Sequence, residues 1–320
     1  MKVAIIKRNL TAKGAKETQR PQGIRAFLCA PYVSFAPFAV KFLPHIYLLR
    51  LLTLAVALLA SAHHHARAQT LRVEKTVSIP TPTAFSINRS GILFTGDARG
   101  AVRAYDTTGR VTHTFSPPRV AEVAALDAGQ NLRVFCFYRD LQEYQLLDRF
   151  LTPLPGYEKP ARIDPGEAGF ARLAALAQDG QLWLFDDTDF SLKKYNPVAR
   201  RVSLHVPLEL VLAGQDPQFV ALREYQNLVF LHDGRGGVLV FDNAGNFRSK
   251  IAAEATGPVG FYGDELYFTQ DGSIHFVHLY NGTTRQMPLP GGIDLVGVAV
   301  GPTTIYLLSR NQLLVCPKPL

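Results

Sequence analysis

Five acidic side chains stand 12 to 15 positions ahead of a recurring apolar hexamer: Glu122, Glu167, Asp216, Glu254 and Asp294. Oxygen ligands gathered from several loops bind hard cations, so a ring of these carboxylates around one opening would hold calcium. A cation with a carboxylate base beside it is the machinery of metal-dependent hydrolysis. The plainer reading is that acids belong in the polar turns before strands, with Asp216-Pro217 an ordinary turn starter. No motif calls for any other cofactor, so none is expected beyond that calcium.

A second constellation lies in 137–150, FYRDLQEYQLLDRF, which brings Tyr138, Arg139, Asp140, Glu143 and Tyr144 close together. Arg223 and Tyr225, on either side of Glu224, repeat the chemistry. Arg and Tyr are favoured where a protein meets a partner, so these residues form the expected partner surface, with an exposed aromatic patch at Tyr138 and Tyr144. The competing reading pairs the opposite charges across a hairpin and lays the rings on the sheet.

Other chemistry is weaker. The segment DDTD at 186–189 is similar to the start of a calcium loop but lacks the glycine and closing glutamate of an EF-hand. His275 and His278 are three apart on a predicted strand, so they face opposite sides and cannot chelate one ion together. His113, His205 and His232 stand alone and read as packed or solvated residues. Signatures for a serine hydrolase, a P-loop or a dinucleotide fold do not occur.

The element that must position these groups is the hexamer itself, apolar-x-apolar-x-x-Asp/Asn. It occurs at 92–97 (ILFTGD), 135–140 (FCFYRD), 182–187 (LWLFDD), 228–233 (LVFLHD), 266–271 (LYFTQD) and 306–311 (YLLSRN). Successive starts are 43, 47, 46, 38 and 40 residues apart, the spacing of a four-stranded propeller blade. Each copy reads as a buried strand delivered into a tight turn by its Asx residue. Around it lie three further short strands joined by Gly- and Asn-containing turns, as in DGRGG and NAG of the fourth unit. The sixth unit has only three strands before the sequence stops, while Leu71 to Ile79 alternates like a strand without a local partner. That N-terminal strand is expected to complete the last blade and remove a sheet edge.

The fold class expected is therefore all-β: a six-bladed β-propeller of four-stranded antiparallel blades over residues 69–320, the last closed by the N-terminal strand of the mature chain. In blade size and turn chemistry the chain resembles propellers of the NHL and TolB-like kind. WD dipeptides, paired kelch glycines and tryptophan docking motifs are absent, and Trp183 is the single tryptophan of the 320 residues.

Ahead of the repeat, 51–62 is an apolar run broken only by Thr53 and Ser61, preceded by Arg50 and followed by Ala66-Arg67-Ala68. This is the arrangement of a secretory signal, read as 46–68 with cleavage after Ala68. Twelve residues fall short of the ~20 that span a bilayer, so no stable transmembrane segment is expected after cleavage. Residues 1–45 read as an unstructured extension, or as sequence upstream of the true start. The net charge of +8 comes from the first 68 residues, which hold ten basic residues against Glu17; the remainder carries 24 basic and 25 acidic residues. A propeller without a basic surplus has no face for nucleic acid. Cys136 and Cys316 fall in the second and sixth units and are expected as buried free thiols, Cys29 leaving with the signal.

The functional expectation is a non-catalytic propeller, monomeric and exported to the periplasm or beyond, that binds or scaffolds a protein or glycan partner in the cell envelope. The alternative is a metal-dependent hydrolase or lactonase of the six-bladed class, using the carboxylate ring.

Overall fold

The computed structural model describes residues 71–319 except 130–132, 213, 215 and 256. The expected extension 1–45, the signal 46–68 with its cleavage point, and Cys29 lie outside the described residues. Labelled in chain order, β1 is Lys75–Ser78, and the first blade is Pro82–Ile87, Leu93–Asp97, Val102–Tyr105 and Val111–Phe115 (β2 to β5). The second is Ala125–Asp127, Arg133–Tyr138, Glu143–Asp148 and Ala161–Arg162 (β6 to β9), and the third Ala171–Leu176, Leu182–Asp186, Ser191–Asn196 and Arg201–Pro207 (β10 to β13). The fourth is Phe219–Tyr225, Leu228–Asp233, Gly237–Asp242 and Phe247–Ile251 (β14 to β17). Gly260–Tyr262, Glu265–Gln270, Ser273–His278 and Thr284–Pro288 (β18 to β21) make the fifth. The sixth contains Leu295–Val300, Thr304–Ser309 and Gln312–Pro317 (β22 to β24), and its outermost strand is β1, paired antiparallel with β24 through Lys75↔Val315 and Val77↔Leu313. Among the described residues this is a six-bladed β-propeller, with helix confined to the one-turn segments Pro165–Ala168 and Glu209–Leu212 and a 3-10 turn at Arg139–Leu141.

Every hexamer supplies the second strand of its blade, and its nearly unbroken apolar character follows from burial on both faces. In β7, Val134, Cys136 and Tyr138 pack towards the first blade with Phe94 and Val102, while Phe135 and Phe137 pack towards the third with Leu182 and Leu184. In β15, Val229 and Leu231 join Trp183 and Phe185, while Phe230 joins Phe261 and Phe268. The core is thus a set of wedges between neighbouring blades. The outermost strands show solvent instead: Phe247–Ile251 is exposed along most of its length.

The turns are held by a repeated side-chain device. The Asp97 Oδ1 accepts from the backbone N–H of Arg99 (2.9 Å) and Ala101 (3.0 Å). Asp106, Asp148 and Asp242 do the same for residues two and four positions on, at 2.8 to 3.0 Å. Asp97 caps a turn after a second strand and the other three cap turns after third strands, so one device serves both faces of the ring. In the third blade the capping acid is Asp186, one residue ahead of the hexamer's Asp187.

The innermost strands β2, β6, β10, β14, β18 and β22 surround the channel. At the face where the chain runs into them, here the leading face, β2, β10, β14 and β22 each carry a bulge that leaves Thr83, Arg172, Val220 and Val296 out of register. Bulges of this kind re-aim a side chain.

Cys136 and Cys316 are buried and unbridged. Burial raises both thiols, Cys316 to about 11. Neither is expected to alkylate at pH 8 in the folded protein, and both should do so after denaturation, as peptide mapping of iodoacetamide adducts would show. Burial would raise the Asp97 pKa, but the Arg103 hydrogen bond at 2.7 Å, the two backbone N–H groups and the charge of Arg103 outweigh it and hold the carboxyl below its ordinary value. A group with a lowered folded pKa stabilises fully above its unfolded value, 3.8 for Asp97, and loses that stabilisation as pH falls through the folded value. Asp97→Ala should therefore lower stability by about 2 kcal/mol at pH 6 and by much less at pH 3, measured as urea midpoints.

Candidate functional site

The five acids read as a cation ring are placed apart from one another. Glu122, Glu167, Asp216, Glu254 and Asp294 are all exposed on the leading face. Asp216 and Asp294 each have an arginine of their own blade nearby, Arg235 at 3.8 Å and Arg310 at 3.7 Å. Among the described residues no three His, Cys, Asp or Glu side chains are grouped to hold a metal ion. The DDTD segment collects cations of the protein instead: the buried Lys193 ammonium lies 2.7 Å from both Asp186 and Asp189, and Arg172 lies 2.9 Å from Asp187. Burial alone would lower the Lys193 pKa, and the two carboxylates raise it.

The set expected to bind a partner is divided between the two faces. Tyr138, Arg139, Asp140, Glu143 and Tyr144 surround the turn from β7 to β8 on the leading face, but Tyr138 is 1% and Tyr144 2% exposed. Tyr144 packs between Phe135 and Tyr157 at 6.0 and 5.8 Å. The expected aromatic patch is interior because β7 and β8 bury both faces, and of the charged members Glu143 is paired with Arg119, at 2.5 Å. Arg223 and Tyr225 sit at the end of β14, on the opposite, trailing face.

There the ends of the innermost strands leave a cavity of about 570 Å³, and every blade contributes to its wall. Asn88 and Arg89 come from the first, Asp127 and Gly129 from the second, Gln178 from the third, Arg223 and Tyr225 from the fourth, Tyr262 from the fifth and Pro302 from the sixth. β14 alternates, so Arg223 and Tyr225 turn away from Glu224. Arg223 crosses the channel to Asp127 in the second blade, Nη2 to Oδ1 2.6 Å, and stands 3.5 Å from the Ser86 hydroxyl of the first. The same Asp127 Oδ1 accepts from the Gly129 N–H at 2.8 Å, while its buried Oδ2 has no partner. One ion pair thus spans the axis.

Glu224 points the other way and is 4% exposed; its carboxylate accepts from the Trp183 indole at 2.7 Å and from the Gln178 N–H at 2.9 Å. Tyr225 stacks on Phe261 at 4.7 Å and donates to the Gly263 carbonyl at 2.7 Å. Burial raises its pKa, with Arg223 and Arg89 pulling the other way. Gln226 continues the rim, bonded to Gly263, Asp264 and Tyr280. The rim is therefore rigid and polar, with aromatic faces beside carboxamides. Asn88, whose side chain caps the turn back to Ile92, and Arg89 add to it. Of these residues the sequence singled out Arg223 and Tyr225 for a partner, and Asn88 with Asp127 nearby as inner-strand candidates in the hydrolase reading; the pairing of Asp127 with Arg223 gave no signal because the two lie 96 residues apart.

No family model and no curated protein matches the sequence. Solved structures share the fold. A streptogramin B lyase is 12% identical with a TM-score of 0.52, covering 76% of this chain and 98% of its own. A catalytically inactive virginiamycin B lyase from Staphylococcus aureus with quinupristin is 11% identical, TM-score 0.51, covering 77% and 99%. The Cps50 (Swd1) β-propeller domain of Myceliophteria thermophila is 11% identical, TM-score 0.53, covering 78% and 100%. At these identities the likeness is one of fold alone. No helix among the described residues is long and apolar enough to cross a membrane.

Removing one side of a buried ion pair strands the other, at a cost of about 3 kcal/mol, whereas replacing both by apolar groups costs far less. Arg223→Met and Asp127→Leu should each lower the urea midpoint markedly, and the double variant should cost clearly less than their sum. Simple additivity would mean that the two side chains act separately.

Proposed function

We propose that this protein is a non-catalytic binding propeller, exported to the periplasm or beyond, that receives a protein or glycan partner of the cell envelope at the trailing-face mouth of its channel. The observation that carries the reading is the convergence of polar and aromatic side chains from five blades on one opening, which Val300, Gly301 and Pro302 of the sixth complete, with Arg89 exposed at its edge. Planar rings beside carboxamides and an arginine suit a partner offering hydroxyl, carbonyl or carboxylate groups. The reading calls for a single copy of the chain and no resident cofactor. The kinship with NHL and TolB-like propellers rests on blade length and turn chemistry. The hydrolase alternative needs the acids gathered, and among the described residues no three of them are grouped; the fold itself is shared by lyases and by the Cps50 (Swd1) propeller domain.

The test is binding of the full chain to purified envelope glycan and to detergent-solubilised envelope protein, measured by biolayer interferometry. Paired substitution of Arg89→Ala and Tyr225→Ala should weaken the recognised fraction at least ~10-fold, two such losses of about 1.4 kcal/mol being more than enough, while Asp216→Ala on the leading face leaves it unchanged. Equal loss in both variants, or a calcium-dependent rise in Tm abolished by Asp216→Ala, would favour the hydrolase.

A further inference from the structure

The channel holds a second space, of a different character. In its leading half a chamber of about 170 Å³ is walled by the innermost strands of the first, second, third, fourth and sixth blades and by the lead-in to the fifth, and Arg223 belongs to the wall of both this chamber and the mouth. The Arg223–Asp127 bridge thus lies between a mouth of mixed polarity and a more apolar room. Small side chains make the space, Ala84, Ala125, Ala174 and Ala221 among them, and Phe85 and Phe230 line it. Of the four bulge residues, Thr83, Val220 and Val296 reach its wall, and Val220 is 48% exposed, so the chamber meets the leading surface there.

Two residues in that wall hold unanswered polar atoms, His232 and, at its Nε, Arg223. His232 is 2% exposed, and neither ring nitrogen has a hydrogen-bond partner among the described residues. Thr83, by contrast, donates to the Val123 carbonyl at 2.9 Å, and the Arg223 charge is met by Asp127. Burial lowers the His232 pKa, the neighbouring Asp233 opposing it, which favours the neutral imidazole with one N–H and one lone pair. A buried polar group left unpaired is costly, so a ligand that fills this room and serves His232 gains on both counts.

We propose that the chamber is a binding site for a neutral aromatic alcohol, its ring beside Phe85 and Phe230 and its hydroxyl on the His232 imidazole. The size fits: an apolar cavity of about 150 Å³ takes up benzene, and this one has room for a ring with one or two added heavy atoms. A hydroxyl both donates and accepts, so it meets either nitrogen of the neutral ring. A second polar group on the ligand would meet alanines or the single unpaired Nε–H of Arg223, and a carboxylate would meet an arginine whose charge Asp127 already balances. This site stands apart from the mouth and does not depend on what the mouth binds.

The probe is 4-methylphenol, with toluene as the same shape lacking the hydroxyl, titrated into the full chain and followed by calorimetry and by the His232 imidazole resonances. Saturable 4-methylphenol binding that shifts those resonances, with toluene about tenfold weaker, is the expected result; one hydrogen bond of about 1.4 kcal/mol is that factor. Ala221→Leu, which fills the chamber from another strand, should abolish binding while thermal unfolding remains cooperative. His232→Phe should remove the preference for the alcohol over toluene. No saturable binding of 4-methylphenol, equal binding of both probes, or binding that survives Ala221→Leu would each overturn the proposal.

Discussion

A sheet of four strands with two apolar faces cannot stand alone in water, and the structure depends on that constraint. Each blade must bury both sides of its second strand, so each needs a neighbour on the left and on the right. In β7 the odd and even residues serve different neighbours, and in β15 they do so again. An arrangement in which every sheet is flanked twice is a ring, and six wedges of core side chains fill it.

The ring leaves an axis, and what lines the axis follows from different rules. Large side chains go into the wedges, leaving alanines and bulge residues to face the channel in its leading half. Towards the trailing face the strand ends carry polar groups, and there a single arginine reaches across from the fourth blade to the second. Its charge is compensated by Asp127 at 2.6 Å, which makes a partly buried guanidinium beside a buried carboxylate tolerable. The pair ties blades that share no wedge, and it stands between a mouth of mixed polarity and a more apolar room.

The blade count and the turns were legible in the sequence because both are local. A hexamer of 92–97 type carries its strand and its turn acid within six residues, and the Asx bonds of Asp97 never leave the turn. The site was less legible because it is assembled from distant residues. Arg223 and Tyr225 were noticed for their type, but the meeting of Arg223 with Asp127, and of Glu224 with Trp183, joins different blades. Tyr138 and Tyr144 looked like a surface patch because an amphipathic strand would expose one side; in a blade neither side is exposed. His232 reads as an ordinary strand histidine until Pro258 and Val259 of another blade are seen against the same cavity.

The bond between Trp183 and Glu224 has one more meaning. Trp183 is the only indole in the chain, fully buried, and its N–H is held by the residue next to Arg223. The emission of an indole responds to the charge and geometry of whatever accepts its proton. The protein therefore carries a fluorophore of its own, anchored one peptide bond from the arginine that separates its two rooms, and light reports on the channel without any label being attached.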